Sequence, residues 1–359
     1  MNGEYLPSSH RLFELDALRG IACLSVVLFH FNVNQPDNWH WINLGVAGVD
    51  LFFIISGFVI FYSLQKRSDF KGFFISRFSR LYPAYWVSVC ITSVLIMVNG
   101  GTIKLSDFFV NLTMLQGYFQ VEDIDGAYWT LGIELFFYGL IILPFVFRKT
   151  AQLEQYIWIS LLAIYFWHYW GVLYFPNIHD RASRMFQFVN HAPLFFAGIF
   201  FYLIGFQKAT PLRYFGVLIC FALSCYLHNF YGRTQWVITF TEHVWLLLFF
   251  FGAFFLLISN KLYFLVNRVT LFLGSISYSL YLIHQRIGTE VLRPWLQKYL
   301  PTITPNWAYS LILLPISILL AYAITVWVEK PCTKFLRKKS IQLPTLQLFF
   351  LHNSRRSHL

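Results

Sequence analysis

The sequence sets ionisable and hydroxyl side chains at helical spacing within runs of apolar residues. The first run reads LDALRGIACLSVVLFHF and holds Asp16, Arg19 and His30. Arg19 and His30 are eleven positions apart. At roughly 100° per residue, three helical turns bring them within about 20° of one another. Asp16 stands one turn before Arg19 on nearly the same face. One stripe thus carries a carboxylate, a guanidinium and an imidazole. Neutral imidazole can take a proton from a hydroxyl near pH 7, and guanidinium can grip a phosphate. The plainer alternative is an Asp16–Arg19 ion pair at one end of the run and an unrelated His30 at the other.

Other runs add to this set. GVDLFFIISGF carries Asp50 and Ser56, and its glycines Gly48 and Gly57 permit close helix approach. AYWTLGIELFFYG carries Glu134. GSISYSLYLIHQR sets Ser277, Tyr281 and His284 at i, i+4, i+7, one helix face, with Tyr278 beside them. The basic stretch KRSDFKGFFISRFSRLYP offers Arg77 and Arg80, three apart and suited to phosphate. It could equally be a positive anchor lying on lipid headgroups. Glu329 follows the last apolar run, where a salt bridge to Lys330 or a nearby Arg is the simpler expectation.

Composition says what kind of element must position these groups. Of 359 residues 57% are hydrophobic and only 12% charged, and aromatics make up 21%. A water-soluble chain has too little interior to hide that much apolar surface. The excess of Lys and Arg, +11 in net charge, is spread between apolar runs. That placement speaks against a nucleic-acid partner and for a membrane surface. Cys23, Cys90, Cys220 and Cys225 sit in apolar runs and behave as small hydrophobes. No C-x-x-C, H-E-x-x-H, G-x-S-x-G or phosphate-loop motif occurs, so metal, serine-hydrolase and nucleotide-hydrolysis chemistry lack a sequence basis.

The expected fold is an all-α polytopic membrane protein. About 20 apolar residues cross a bilayer. Ten candidate spans follow: 15–33, 45–64, 83–99, 127–147, 155–175, 189–207, 211–228, 240–259, 270–287 and 307–329, the third and seventh short. A short interfacial helix is expected near 112–119. Prolines 83, 144, 193 and 315 lie at span ends or kink a span. Segments on the side of the termini carry 19 Lys and Arg against 7 on the other. By the positive-inside rule both termini are cytoplasmic. The basic tail, free of acidic residues from 331 onward, is expected along the anionic inner leaflet.

Taken together these segments resemble the integral-membrane acyltransferase-3 family. Its members include bacterial O-acetyltransferases of surface polysaccharides and Nod factors, and macrolide acyltransferases. The resemblance rests on LDALRGIACLSVVLFH with Arg19 and His30, on Gly48 to Phe58, and on Arg77, Arg80 and Pro83. It extends through Trp129 to Tyr138, through SYSLYLIH, and to the E-x-P at Glu329. Ala17 stands where the family usually has Gly. The six motifs come in the family's order, from 14 to 331. The resemblance implies an acyltransferase domain over 1–335 followed by a basic cytoplasmic tail, 336–359, in a stand-alone form without a periplasmic hydrolase-like domain. It implies a multi-pass protein of the bacterial inner membrane. The activity would be transfer of an acyl group, commonly acetyl from acetyl-CoA as co-substrate, to a hydroxyl of a saccharide or glycolipid.

On that reading His30 is the general base, with Arg19, Asp16 and Glu134 completing the catalytic set. Asp50, Ser56, Arg77, Arg80, Tyr278, Tyr281, His284 and Glu329 bind substrates, and no metal takes part. Arg19 lies ~16 Å along a straight helix from His30, so the two serve different parts of a long donor. Direct transfer and an acyl-histidine relay are both compatible with these residues. The competing class is a transporter or flippase of a lipid-linked saccharide, which would more often show broken helices in two matching halves.

Overall fold

The computed structural model describes residues 12–35, 38–65, 70–147, 152–230, 233–303 and 305–342. Among these no strand occurs, and the chain is a bundle of helices. In order they are α1 (Phe13–Asn32), the short α2 (His40–Asn43), α3 (Gly48–Gln65), α4 (Phe70–Val98) and α5 (Leu105–Asn111). Next come α6 (Trp129–Val146), α7 (Leu153–Tyr174), α8 (Pro176–Met185), α9 (Phe188–Phe206), α10 (Pro211–His228) and α11 (Phe240–Ile258). The last are α12 (Arg268–Arg286), α13 (Arg293–Tyr299), α14 (Tyr309–Ile324) and α15 (Lys330–Gln342).

Seven helical stretches among the described residues are long and apolar enough to cross a membrane. They match seven of the ten expected spans. The three left over are α1, α6 and α12, the helices that carry the polar stripes. In α1 and α12 polar residues lower the hydropathy, whereas α6 is apolar but shorter; polar residues in a span are kept where they face the bundle interior.

Two close helix pairs set the frame. α1 lies along α12, and a methyl group at Gly274 would overlap the Asp16 carbonyl. α3 lies along α9, where a methyl group at Gly57 would overlap the Phe195 carbonyl. Small residues let backbones approach this closely, and in a bilayer such packing holds helices together.

The expectation of a short third span is corrected. α4 is one helix of 29 residues with Pro83 inside it. At ~1.5 Å per residue it runs about 43 Å, beyond a hydrocarbon core of ~30 Å. Its N-terminal part, with Lys71, Arg77 and Arg80, therefore extends past the apolar layer as helix and packs against α15. Pro144, Pro193 and Pro315 likewise lie inside helices. Two π-helical segments, Ile287–Leu292 and Thr325–Glu329, join α12 to α13 and α14 to α15. The basic tail continues the last span as α15, and residues 343–359 lie outside the described residues.

A loop from 112 to 128 is pinned to α4. Tyr82, Tyr85 and Trp86 donate to the carbonyls of Thr113, Asn111 and Leu112 at 3.1, 2.5 and 2.9 Å. The buried Asn111 side chain donates to Glu122 O and accepts from Ile124 N, both at 3.0 Å. The interfacial helix expected at 112–119 is instead α5 followed by a single 3-10 turn, Gln116–Phe119.

Candidate active site

Pairing α1 with α12 brings two histidines together. His284 Nε2 lies 3.1 Å from His30 Nδ1, although the residues are 254 apart in sequence. The hydrogen bonds around them assign the tautomers. His284 Nδ1 is 2.8 Å from the Tyr281 carbonyl and must carry a proton, leaving its Nε2 as an acceptor. His30 Nδ1 then carries the proton, shared between His284 Nε2 and Val26 O at 3.0 Å. The lone pair of His30 is left on Nε2, the arrangement a general base needs.

Toward the other end of α12 a narrow cavity of about 80 Å³ opens among α1, α3, α4, α6 and α12. Arg19, Ser56, Arg80, Glu134, Tyr138, Ser277, Tyr278 and Tyr281 line it. Ser56 donates to Glu134 Oε1 at 2.7 Å, and Tyr138 donates to the same oxygen. A carboxylate so held is aimed rather than free to swing. Tyr281 and Thr130 share a hydrogen bond of 2.8 Å at the cavity wall. The ring of Tyr281 lies 5.5 Å from that of His284, so this wall separates the cavity from the histidine pair.

Arg19, Arg80 and Tyr278 also line a wider vestibule of about 860 Å³ next to the cavity. Arg19, Arg80, Lys330, Lys334, Arg337 and Lys338 bring six cations to its lining, against the carboxylates Asp16 and Glu329. Four of the six come from α15. A wide mouth so charged fits a polyanion such as a nucleotide phosphate group.

The sequence candidates divide as follows. Asp16 and Arg19 form an ion pair at 3.7 Å, both partly buried, and both line the vestibule. That realises the plainer reading, without removing Arg19 from the cavity. Arg80 lines both spaces, but Arg77 does not. Arg77 turns inward, donating to Ser63 and lying over the rings of Phe73 and Tyr138 at 5.5 and 5.9 Å. It supports Tyr138, and through it Glu134. Glu329 accepts from Ser279 at 3.0 Å, so the simple salt bridge expected for it gives way to a hydrogen-bonded carboxylate on the vestibule wall. Asp50 lies apart from the cavity, buried, with His243 Nε2 at 3.0 Å from its carboxylate.

Three features were not legible as site residues in the sequence. His243 gave no signal beyond its place in an apolar run. The α15 cations read as a leaflet anchor. Arg293 read as one of the outer charges, yet it is buried and donates to Phe31 O, next to His30, and to Asn306 O at 3.3 Å. On a straight helix, nine residues at ~100° each would put Arg293 opposite His284. The π segment between them widens the turn, and both residues meet the end of α1. Its guanidinium satisfies a carbonyl that a helix end leaves without a partner.

The family's profile, described as an acyltransferase domain (Acyl_transf_3), matches residues 12–326. The chain belongs to this family. The acyltransferase is 30% identical over 189 residues to a candidate peptidoglycan O-acetyltransferase, YrhL, of Bacillus subtilis (strain 168), covering 45% of this chain and 28% of that one. It is 28% identical over 159 residues to nodulation protein 10 of Rhizobium leguminosarum bv. viciae, 36% of this chain and 43% of that one. A candidate acetyltransferase, ORF330, of Acidianus two-tailed virus is 25% identical over 275 residues, 74% of this chain and 80% of that one. The match thus spans less than half the length of the first two relatives. No solved structure matches the acyltransferase. The family match spans most of the chain, and the transporter reading finds no support among these relatives.

The pinned loop supplies a pH-dependent anchor beyond the histidines. Asp125 is buried, accepting from Ala127 N at 2.9 Å and Arg286 N at 2.8 Å. Burial pushes its carboxyl from an ordinary 3.8 up to about 7, the two backbone bonds opposing the rise. Between those values the folded protein keeps a proton that the unfolded chain releases. The contribution of this group to stability therefore falls as pH rises through that window and stays level above it. The melting temperature of wild type relative to Asp125→Asn is expected to drop between pH 4 and 7. Thermal melts in detergent at matched ionic strength check this, and a pH-independent difference would contradict it.

Proposed function

We propose that the protein moves an acetyl group from acetyl-CoA to a hydroxyl of a saccharide bound for the cell surface, working across a bacterial inner membrane. The observation that carries this reading is a pair of neighbouring spaces, a cationic vestibule and a narrow cavity that share Arg19, Arg80 and Tyr278, the cavity's Tyr281 wall lying against His284. CoA has that shape and charge: a phosphate-rich nucleotide head and a long neutral arm. The head sits among Arg80, Arg19 and the α15 cations, and the arm enters past Tyr278 toward Glu134 and Tyr281.

In the transfer His30 Nε2 takes the proton of the acceptor hydroxyl as its oxygen bonds to the thioester carbon. The C–S bond breaks, and the thiolate leaves with the proton that His30 returns. His284, fixed by the Tyr281 carbonyl, holds His30 in the tautomer this requires. Glu134, held by Ser56 and Tyr138, orders the donor arm in the cavity. We further propose that α1, α6 and α12 cross the bilayer with the rest, making ten spans, and that both termini and the vestibule are cytoplasmic. The basic-residue asymmetry supports this orientation.

The test is incubation of the purified protein with radiolabelled acetyl-CoA and a neutral oligosaccharide. Release of free CoA with label on the saccharide supports the reading. Movement of saccharide across proteoliposomes without label transfer would replace it with transport.

A further inference from the structure

At the end of the molecule that carries His30, a cleft of about 400 Å³ lies between the pinned loop and the start of α6. It is separate from the cavity and the vestibule. Gln116, Gln120, Glu122, Asp123 and Gln187 bring amide and carboxylate groups to its lining, together with the rings of Tyr118 and Trp129. No Lys or Arg lines it, in contrast to the vestibule.

Three observations mark this cleft as built. Gln116 is 1% exposed, and its Oε1 finds no hydrogen-bond partner among the described residues, while its Nε2 donates to Asp123 Oδ1 at 2.7 Å. Tyr85, which also neighbours Gln116, gives its single proton to Asn111 O. A buried amide oxygen without a partner is costly unless a ligand or water donates to it. Two lining residues, Met114 and Gln120, hold the left-handed backbone at φ 62° and 57°, a strain that persists where the surroundings fix it. The loop is moreover clamped to α4 by the Tyr82, Tyr85 and Trp86 bonds, so the cleft is formed in advance of its ligand.

Its position ties it to the reaction. Gly126, in the lining, sits against the side chain of Gln285, which follows His284, and Asp125 accepts from the next residue, Arg286. The loop that forms the cleft thus meets α12 at the two residues that directly follow His284.

We propose that this cleft binds the acceptor, and that the acceptor there is an uncharged saccharide segment. Amides and the two carboxylates Glu122 and Asp123 bond hydroxyl groups, and the aromatic rings of Trp129 and Tyr118 take the apolar faces of sugar rings. The absence of cations in the lining disfavours phosphate or carboxylate groups at this point. The inference rests on the acetyl-transfer reading for its role, but not for the binding itself.

The test uses the full chain in detergent and the double variant Gln120→Ala/Gln187→Ala, whose side chains are exposed or half-buried and so spare the fold. The probe is a neutral N-acetylglucosamine tetramer, with glucose 1-phosphate as the charged comparison. Without donor, saturation-transfer NMR should show the tetramer bound by wild type and its affinity about tenfold or more weaker in the variant, as loss of hydrogen bonds would give. With acetyl-CoA, the acceptor KM should rise by a similar factor while donor affinity stays unchanged. Unchanged tetramer affinity in the variant, or preference for glucose 1-phosphate, would overturn the proposal. Tetramer binding that is lost in the variant, with no acetyl transfer by wild type, would uphold the cleft and overturn the acetyl-transfer reading instead.

Discussion

His30→Ala is expected to lower acetyl transfer by about 100- to 10,000-fold, the range a positioned general base contributes. The protein should still insert and bind donor, because the imidazole sits at the far end of α1 from the vestibule. Within the bundle His30 is held by Val26 O and His284, and neither contact joins two distant parts of the donor site. Single-turnover kinetics on purified wild type and variant, with CoA binding measured alongside, check this. Accumulation of labelled enzyme in wild type before any product would recast His30 as a nucleophile in an acyl relay. Full turnover by His30→Ala would remove it from the chemistry.

Arg80→Ala is expected to weaken donor binding by about 10- to 100-fold, since a charge-assisted bond is worth ~1.5–3 kcal/mol. Arg77→Ala should behave differently. Arg77 faces Ser63 and Tyr138 inside the bundle, so its loss should act on turnover through Glu134 and leave donor affinity close to wild type. Calorimetric titration of CoA into the two variants separates them. Equal loss of affinity in both would return Arg77 to the phosphate site.

These two arginines show where sequence reading reaches its limit. Three residues apart, they share a broad helix face, and spacing alone gives no reason to part them. What parts them is the neighbourhood: α6 presents Tyr138 to one, and α15 shares the vestibule with the other. The stripe of α1 and that of α12 were each legible, because helical periodicity needs only one sequence segment. Their meeting at His30 and His284 was not, since it depends on the close approach allowed by Gly20 and Gly274 across 254 positions. Arg293 was hidden by the π segment before it, across which the 100° spacing of an α-helix does not hold. The basic tail was legible as basic but not as a wall of the vestibule, because its helix is continuous with the last span. The membrane class, by contrast, follows from composition alone.

The central claim is that donor and acceptor approach from opposite ends of the bundle. Proteoliposomes with radiolabelled acetyl-CoA sealed inside and a neutral oligosaccharide outside test it most directly. Label should appear on the outer saccharide while the vesicles stay sealed, and His30→Ala should abolish it. Transfer that occurs only when both substrates share one compartment would contradict the account.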